Sequence, residues 1–282
     1  MRQIARLVLA LLLLAAPGRA SAQEVTFPQF SDPVPGADKV TYLDLAREIV
    51  ADATVDANGW LAGNTIKALR HIAGADSRKA PPAQGKADTG ISAIELADGR
   101  RHLMMFELGQ PEGDVANYTV LALYDPAATP RLLDAVDVGH DLSNFFLNPA
   151  VLPLGGGDLI LTMSLHFNAS QAYQVSGMTL LRGDRFEFID AVSTFDDKHC
   201  AFERTQRIAY DVQQSDTPFA DIFAAVTETV TRTETGCGAD AETPPASERT
   251  IAVRYAWDAA AGRYVPDSDA FERLAAENSE RF

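Results

Sequence analysis

DLILTMSLHFN, residues 158–168, alternates almost without exception. Leu159, Leu161, Met163, Leu165 and Phe167 fall on one parity. Asp158, Thr162, Ser164, His166 and Asn168 fall on the other, and only Ile160 breaks the rule. Successive side chains of an extended chain point to opposite faces, so this pattern predicts a β-strand with an apolar flank turned inward and a hydrophilic flank left available.

The segments around it carry the same texture. Ile91 to Leu96 and His102 to Leu108 are joined through Asp98-Gly99, a strong hairpin signal. Tyr118 to Tyr124 is apolar on both parities, as a central strand should be. Leu132 to Val138 reads as a further strand, and the triglycine 155–157 as the turn that delivers the chain into residues 158–168. Tyr173 to Leu181 and Phe186 to Val192 form a hairpin across Gly183-Asp184, with Asp190 breaking the alternation at an expected bulge. Ile208 to Val212, Ile222 to Thr233, Thr250 to Trp257 and Tyr264-Val265 complete the strands.

Helices are expected at the two ends of this series. Thr41 has the character of an N-cap, with Asp44 three residues on, and opens a helix expected to run to Ala53. Thr65 to Ile72 is expected to be a second short helix, and Asp267 onward an amphipathic one with Phe271, Leu274 and Ala275 on its apolar side. Ala75 to Thr89, with its Pro-Pro and polar residues, reads as a loop.

The fold class is therefore mainly β, with antiparallel sheets packed as a sandwich. An irregular propeller is the second choice, because about twelve strands fall short of the roughly sixteen that four blades require. Residues 23–282 read as a single β-rich domain with an extended arm over 23–40.

The first 22 residues read as a secretory signal. Arg2 and Arg6 precede the apolar run Leu7 to Ala16, and Ala20-Ser21-Ala22 supplies small residues for cleavage. The mature protein is expected to begin at Gln23 and to be periplasmic or secreted, with no membrane span. Its formal charge moves from −15 to about −18, because the leader removes three arginines and no acids. Nucleic acid is thereby excluded as a partner, since like charges repel. Cys200 and Cys237 are the only cysteines, and an oxidising compartment predicts one disulfide between them, worth roughly 4 kcal/mol on the chain-entropy argument.

Candidate chemistry concentrates beside the opening strand. His140, Asp141 and Asn144 lie just before it, and His166, Asn168, Gln171 and Tyr173 at its far end. If strands pair in chain order, these residues make a mouth dense in donors and acceptors, suited to a small polar ligand or a protein partner. The competing reading makes His140, Asp141 and His166 the working groups of a cation-assisted hydrolase, although metal sites need three or four converging ligands and no HxH or HExxH spacing occurs. Asp196-Asp197-Lys198-His199-Cys200, the densest ionisable run, reads as an exposed turn beside the disulfide.

Familiar catalytic motifs are missing. There is no GxSxG, and the triglycine lacks the Lys-Ser/Thr and helix of a phosphate loop. The Asp56-Ala57-Asn58-Gly59 stretch lacks the carboxylates of a calcium loop. The expectation is a non-enzymatic exported β-protein with no cofactor, binding a polar ligand or an envelope partner.

Overall fold

The computed structural model describes residues 23–37, 39–74, 80–82, 85–87, 90–127, 129–233 and 244–281. The leader and Cys237 lie outside the described residues.

The chain builds β-layers in the order in which it is read. The first layer holds the arm, helix α1 (Tyr42–Ala46) and a small sheet of β1 (Thr54–Val55), β2 (Leu61–Gly63) and β3 (Gly85–Ala87). The second is a meander of β4 (Ser92–Glu95), β5 (His102–Glu107), β6 (Thr119–Asp125) and β7 (Arg131–Asp137). An eight-stranded meander follows. It comprises β8 (Ser143–Pro153), β9 (Asp158–Phe167), β10 (Gln171–Arg182), β11 (Arg185–Lys198), β12 (Phe202–Gln213), β13 (Asp221–Arg232), β14 (Ser247–Asp258) and β15 (Arg263–Pro266). Helix α2 (Ala270–Arg281) closes the described chain.

The eight-stranded sheet behaves as two halves. Strands β11 and β12 pair at Asp197–Arg204 and Lys198–Glu203, next to the turn that joins them, and part beyond. This lets the halves stack: Leu159, Leu161, Met178, Leu180 and Val192 from one pack against Ile222, Val226, Val253 and Tyr255 from the other. Phe271 and Leu274 of α2 join the same cluster. On the opposite side, Phe146, Val151 and Ile160 pack against Leu103, Met105, Leu121 and Leu123 of the second layer. A third cluster joins that layer to the arm and α1 through Phe30, Leu45, Phe106 and Tyr124. The result is a stack of β-sandwich interfaces. It shares with a propeller the chain-order succession of meanders, but β8 to β15 run unbroken in one sheet.

β9 thus lies between two layers, and this changes the reading of its hydrophilic flank. Leu159 and Leu161 are buried as expected, and each such side chain contributes about 1.5–3 kcal/mol of apolar transfer. Yet Thr162 and Ser164, on the other parity, are only 4% and 2% exposed. Ile160, the exception to the alternation, is the residue that packs on the second layer. The flank is covered from Ile160 to Ser164 and part-exposed at Asp158 and His166, while the apolar parity, expected to face inward throughout, comes to the surface at Leu165 and Phe167.

Local signals held where partners are close in sequence. Thr41 caps α1 in a reciprocal capping box with Asp44. Gly183 turns β10 into β11 at φ 61°, and the ladder slips between Met178 and Thr179, which leaves Ile189 as the extra residue beside Asp190. That bulge carries the Asp190 carboxylate to the Tyr255 hydroxyl, which donates to it at 2.6 Å across the two halves. A side chain at Gly156 would meet the Phe219 ring at 2.7 Å, so the triglycine is a site of close approach as well as a turn.

Other expectations are corrected. The first helix stops at Ala46, not Ala53, because Ile49 and Ala51 exchange backbone hydrogen bonds with Lys67 and Thr65. No helix forms over 65–72, where one was expected; Ile66 bridges Val50 and His71 bridges Asp137. The 75–89 loop contains β3, and β8 was not anticipated. The arm is an integral part of the core: Phe30 and Val34 are buried, and Thr26 bridges Ala93.

Candidate functional site

The link from β7 to β8, residues 138–142, lies over the flank of β9 and brings the predicted cluster together. His140 donates its backbone N–H to Ser164 Oγ at 3.2 Å. Ser164 in turn donates to Asn144 Oδ1. The His166 Nδ1 sits 3.2 Å from Asp141 Oδ1, with the imidazole 40% exposed and the carboxylate mostly covered.

The link itself is fixed by two buried carboxylates. Asp137 Oδ1 accepts the backbone N–H groups of Thr119 (3.0 Å) and Gly139 (2.9 Å). Glu107 Oε1 accepts both the backbone N–H (2.7 Å) and the side-chain amide (2.9 Å) of Asn144, and Oε2 accepts Asn117 Nδ2 at 3.2 Å. Gly139 has no room for a side chain, since a Cβ there would meet the Asn117 carbonyl at 1.9 Å. His71 joins from the first layer. The Ala73 N–H donates to its Nδ1, which places the ring proton on Nε2, donated to the Gly139 carbonyl at 3.1 Å. Its ring meets that of His140 edge to face at 5.1 Å.

His140, Asp141, Asn144 and His166 therefore converge, but much of their hydrogen-bonding capacity is spent on tying the β7–β8 link to the sheets. Asn168 and Gln171 serve their own exposed turn: Asn168 Oδ1 accepts the Gln171 N–H at 3.1 Å, and the two side-chain amides meet at 3.1 Å. Tyr173 pairs across the ladder with His166 and lays its ring 4.9 Å from that of Phe195. Burial, followed by the charge of Asp197, raises its hydroxyl above the ordinary tyrosine range. Among the described residues no three His, Cys, Asp or Glu side chains gather as a metal ion requires.

A second polar constellation forms where β11 and β12 part. Once the ladder ends, side chains replace it: Gln206 accepts the Phe195 N–H at 2.8 Å, and Asp196 accepts the Gln206 N–H at 2.8 Å. Gln206 also exchanges two hydrogen bonds with Asn278 of α2, both 2.9 Å. Glu228, buried on β13, accepts from Gln206 Nε2 (2.7 Å), Arg281 Nη1 (2.7 Å) and Arg249 Nε (2.9 Å). Burial alone would raise its pKa, but these three donors outweigh burial and hold the carboxyl below the ordinary value. Asp197, its side chain 4% exposed, accepts from His199 Nε2 at 2.7 Å. The ionisable run 196–200 is thus no simple exposed turn.

Arg204 sits in the middle of this array, and its neighbours are already engaged. Glu228 approaches its Nε only to 4.0 Å and Asp197 its Nη1 only to 3.9 Å, so neither carboxylate hydrogen-bonds it. Its Nε has no partner among the described residues. The side chain is 13% exposed and lines a cleft of about 460 Å³ together with Asp197, His199, Phe202 and Arg281. Burial and then the charge of Arg281 lower its pKa, against the opposing pull of Glu228 and Asp197.

A larger cleft, about 670 Å³, lies between residues 23–27 and Phe145–Asn148, and its wall is mainly apolar, with Val25, Phe27, Phe146 and Leu147. It offers rings and no cationic side chain. Comparison with family models, curated proteins and solved structures finds no match to this chain.

Proposed function

We propose that this chain is an exported β-protein that binds a small polar ligand at the cleft beside the β11–β12 junction, and that it works by binding, without chemistry of its own. The observation that carries this reading is the state of Arg204. It is a largely buried guanidinium at the wall of a cleft: Glu228 hydrogen-bonds Arg249, Arg281 and Gln206, Asp197 gives one oxygen to His199, and the two carboxylates approach Arg204 only to 4.0 and 3.9 Å. Buried polar groups are ordinarily satisfied, so a cation left short of acceptors at a cleft of ligand size marks a place where another molecule completes the set. The sequence-predicted cluster supports the alternative less well, because Asn144 and its neighbours are consumed within the protein.

Export and the disulfide belong to the same proposal. The Arg2/Arg6 leader with its Ala20-Ser21-Ala22 end supports cleavage before Gln23, and an oxidising destination supports pairing of Cys200, beside the cleft, with Cys237. The intact mass of exported protein is expected to match a chain beginning at Gln23, short of the reduced mass by the hydrogens a disulfide removes. A longer chain, or a fully reduced mass, contradicts this part.

The binding reading is tested with small aromatic fragments of either charge, titrated into the ¹⁵N-labelled mature chain. Amide resonances of residues 197–204 and of Arg281 are expected to move. Movement confined to 140–144 and 166–173, or no movement, contradicts it.

A further inference from the structure

We infer that the cleft takes an anion, specifically a carboxylate or phosphate group carried on a small organic body, with Arg204 as its principal partner. This rests on the binding reading above and deepens it by naming the chemical class.

Arg249 and Arg281 share Glu228 and Glu277, with contacts of 2.5–3.4 Å, and Arg207 holds Asp196 at 2.7 Å. Asp197 gives Oδ2 to His199, while its Oδ1 has no hydrogen-bond partner among the described residues. Glu228, Glu277 and Asp196 are thus matched to donors other than Arg204, and Asp197 through one oxygen only. A cationic ligand would find that single oxygen with two arginines, Arg204 and Arg281, in the same wall. An anion meets the unused Arg204 Nε with the second arginine beside it, so the balance of charge lining the cleft favours the anion. Guanidinium presents its donors as a planar fork that suits two oxygens of one carboxylate or phosphate, and such charge-assisted pairs are stronger than neutral ones. The His199 ring, half-exposed and stacked on Phe202 at 4.7 Å, supplies a flat wall against which the organic body can lie.

The long-range field of the protein opposes this chemistry, since the formal charge is −15. Anion binding to this molecule at large is therefore disfavoured, which makes a site-specific result easy to interpret. Of the arginines lining the cleft, Arg281 hydrogen-bonds its carboxylates, whereas Arg204 meets Asp197 and Glu228 only at 3.9 and 4.0 Å.

The test uses three probes of similar size on the full mature chain: benzoate, phenyl phosphate and benzylamine. Benzoate or phenyl phosphate, or both, is expected to bind with movement of the residue 197–204 resonances, and which one binds tighter separates carboxylate from phosphate recognition. Arg204→Gln is expected to weaken the anion at least about tenfold, as removal of a charge-assisted pair should. Arg204→Lys retains the charge and loses the fork; it should weaken binding by a smaller factor, and it is the deciding variant should Arg204→Gln not fold. Benzylamine binding at these residues without either anion overturns the anionic class and leaves the cleft as the binding site. Anion binding unchanged in both Arg204 variants overturns the role of Arg204. No response to any probe overturns the class and the cleft together.

Discussion

Replacing Glu107 by Leu is expected to lower stability by about 2–3 kcal/mol, seen as a lower urea midpoint with an unchanged slope. The carboxylate is buried; it accepts the Asn144 backbone N–H and shares the Asn144 and Asn117 amides with the Asp141 and Leu142 carbonyls. An apolar replacement leaves the Asn144 backbone N–H unmet and takes one acceptor from each amide, at roughly 1–3 kcal/mol for a donor left unmet. Glu107→Gln keeps one acceptor oxygen but turns an NH₂ group towards other donors, so a smaller loss of about 1–2 kcal/mol is expected. A loss below about 1 kcal/mol for the leucine variant would show that the β7–β8 link does not depend on this carboxylate.

Glu228 is the corresponding element at the other end of the stack, and its effect depends on pH. Glu228→Leu leaves Arg249 and Arg281 with Glu277 as their remaining carboxylate and Gln206 Nε2 with Asn278, and breaking a buried ion pair by removing one partner costs about 3–5 kcal/mol. Arg249 is 42% exposed and can turn to water, so the lower end of that range is expected. The folded-state pKa of Glu228 lies below the ordinary 4.5 because three donors hold the charged form. A carboxylate depressed in this way stabilises the fold in full above its unfolded value, and that contribution is lost as pH falls through the folded value. The gap between wild type and Glu228→Gln should therefore be largest near neutral pH and close progressively below about pH 4.5. Urea melts at several pH values measure it; a gap that stays constant or widens in acid contradicts the assignment.

The contrast between these two networks explains which parts of the structure were legible beforehand. Hairpins across Asp98-Gly99 and Gly183-Asp184, the cap at Thr41 and the bulge at Asp190 depend on neighbours a few residues away, and all appear where expected. β8 escaped notice because Asn148-Pro149 interrupts its alternation, and its ladder with β9 breaks between Phe146 and Val151. Ile66 and Leu69 have spacing that suits a helix, yet Ile66 bridges Val50, on a different part of the chain.

The junction network was hidden by distance, since Arg204, Gln206, Glu228 and Asn278 come from β12, β13 and α2. One signal was present. Glu228 stands between Val226 and Val230 on the buried parity of β13, and Asn278 continues the stripe of Phe271 and Leu274 on α2. A charged or amide side chain on an otherwise apolar face must find a partner inside the fold. Two such residues in separate elements point to a shared buried site. The cluster at His140 and His166 gave the opposite impression, because its polar residues sit on a flank that looked wet and is in fact covered by the next layer.

The proposed division, with binding at the β11–β12 junction and structural work in the cluster over β9, is tested directly by one comparison. A variant carrying His140→Ala, Asp141→Asn and His166→Ala is titrated with benzoate beside wild type, and its melting temperature is recorded. This division predicts an affinity within about twofold of wild type and a lower melting temperature. Loss of benzoate binding with an unchanged melting temperature would contradict it.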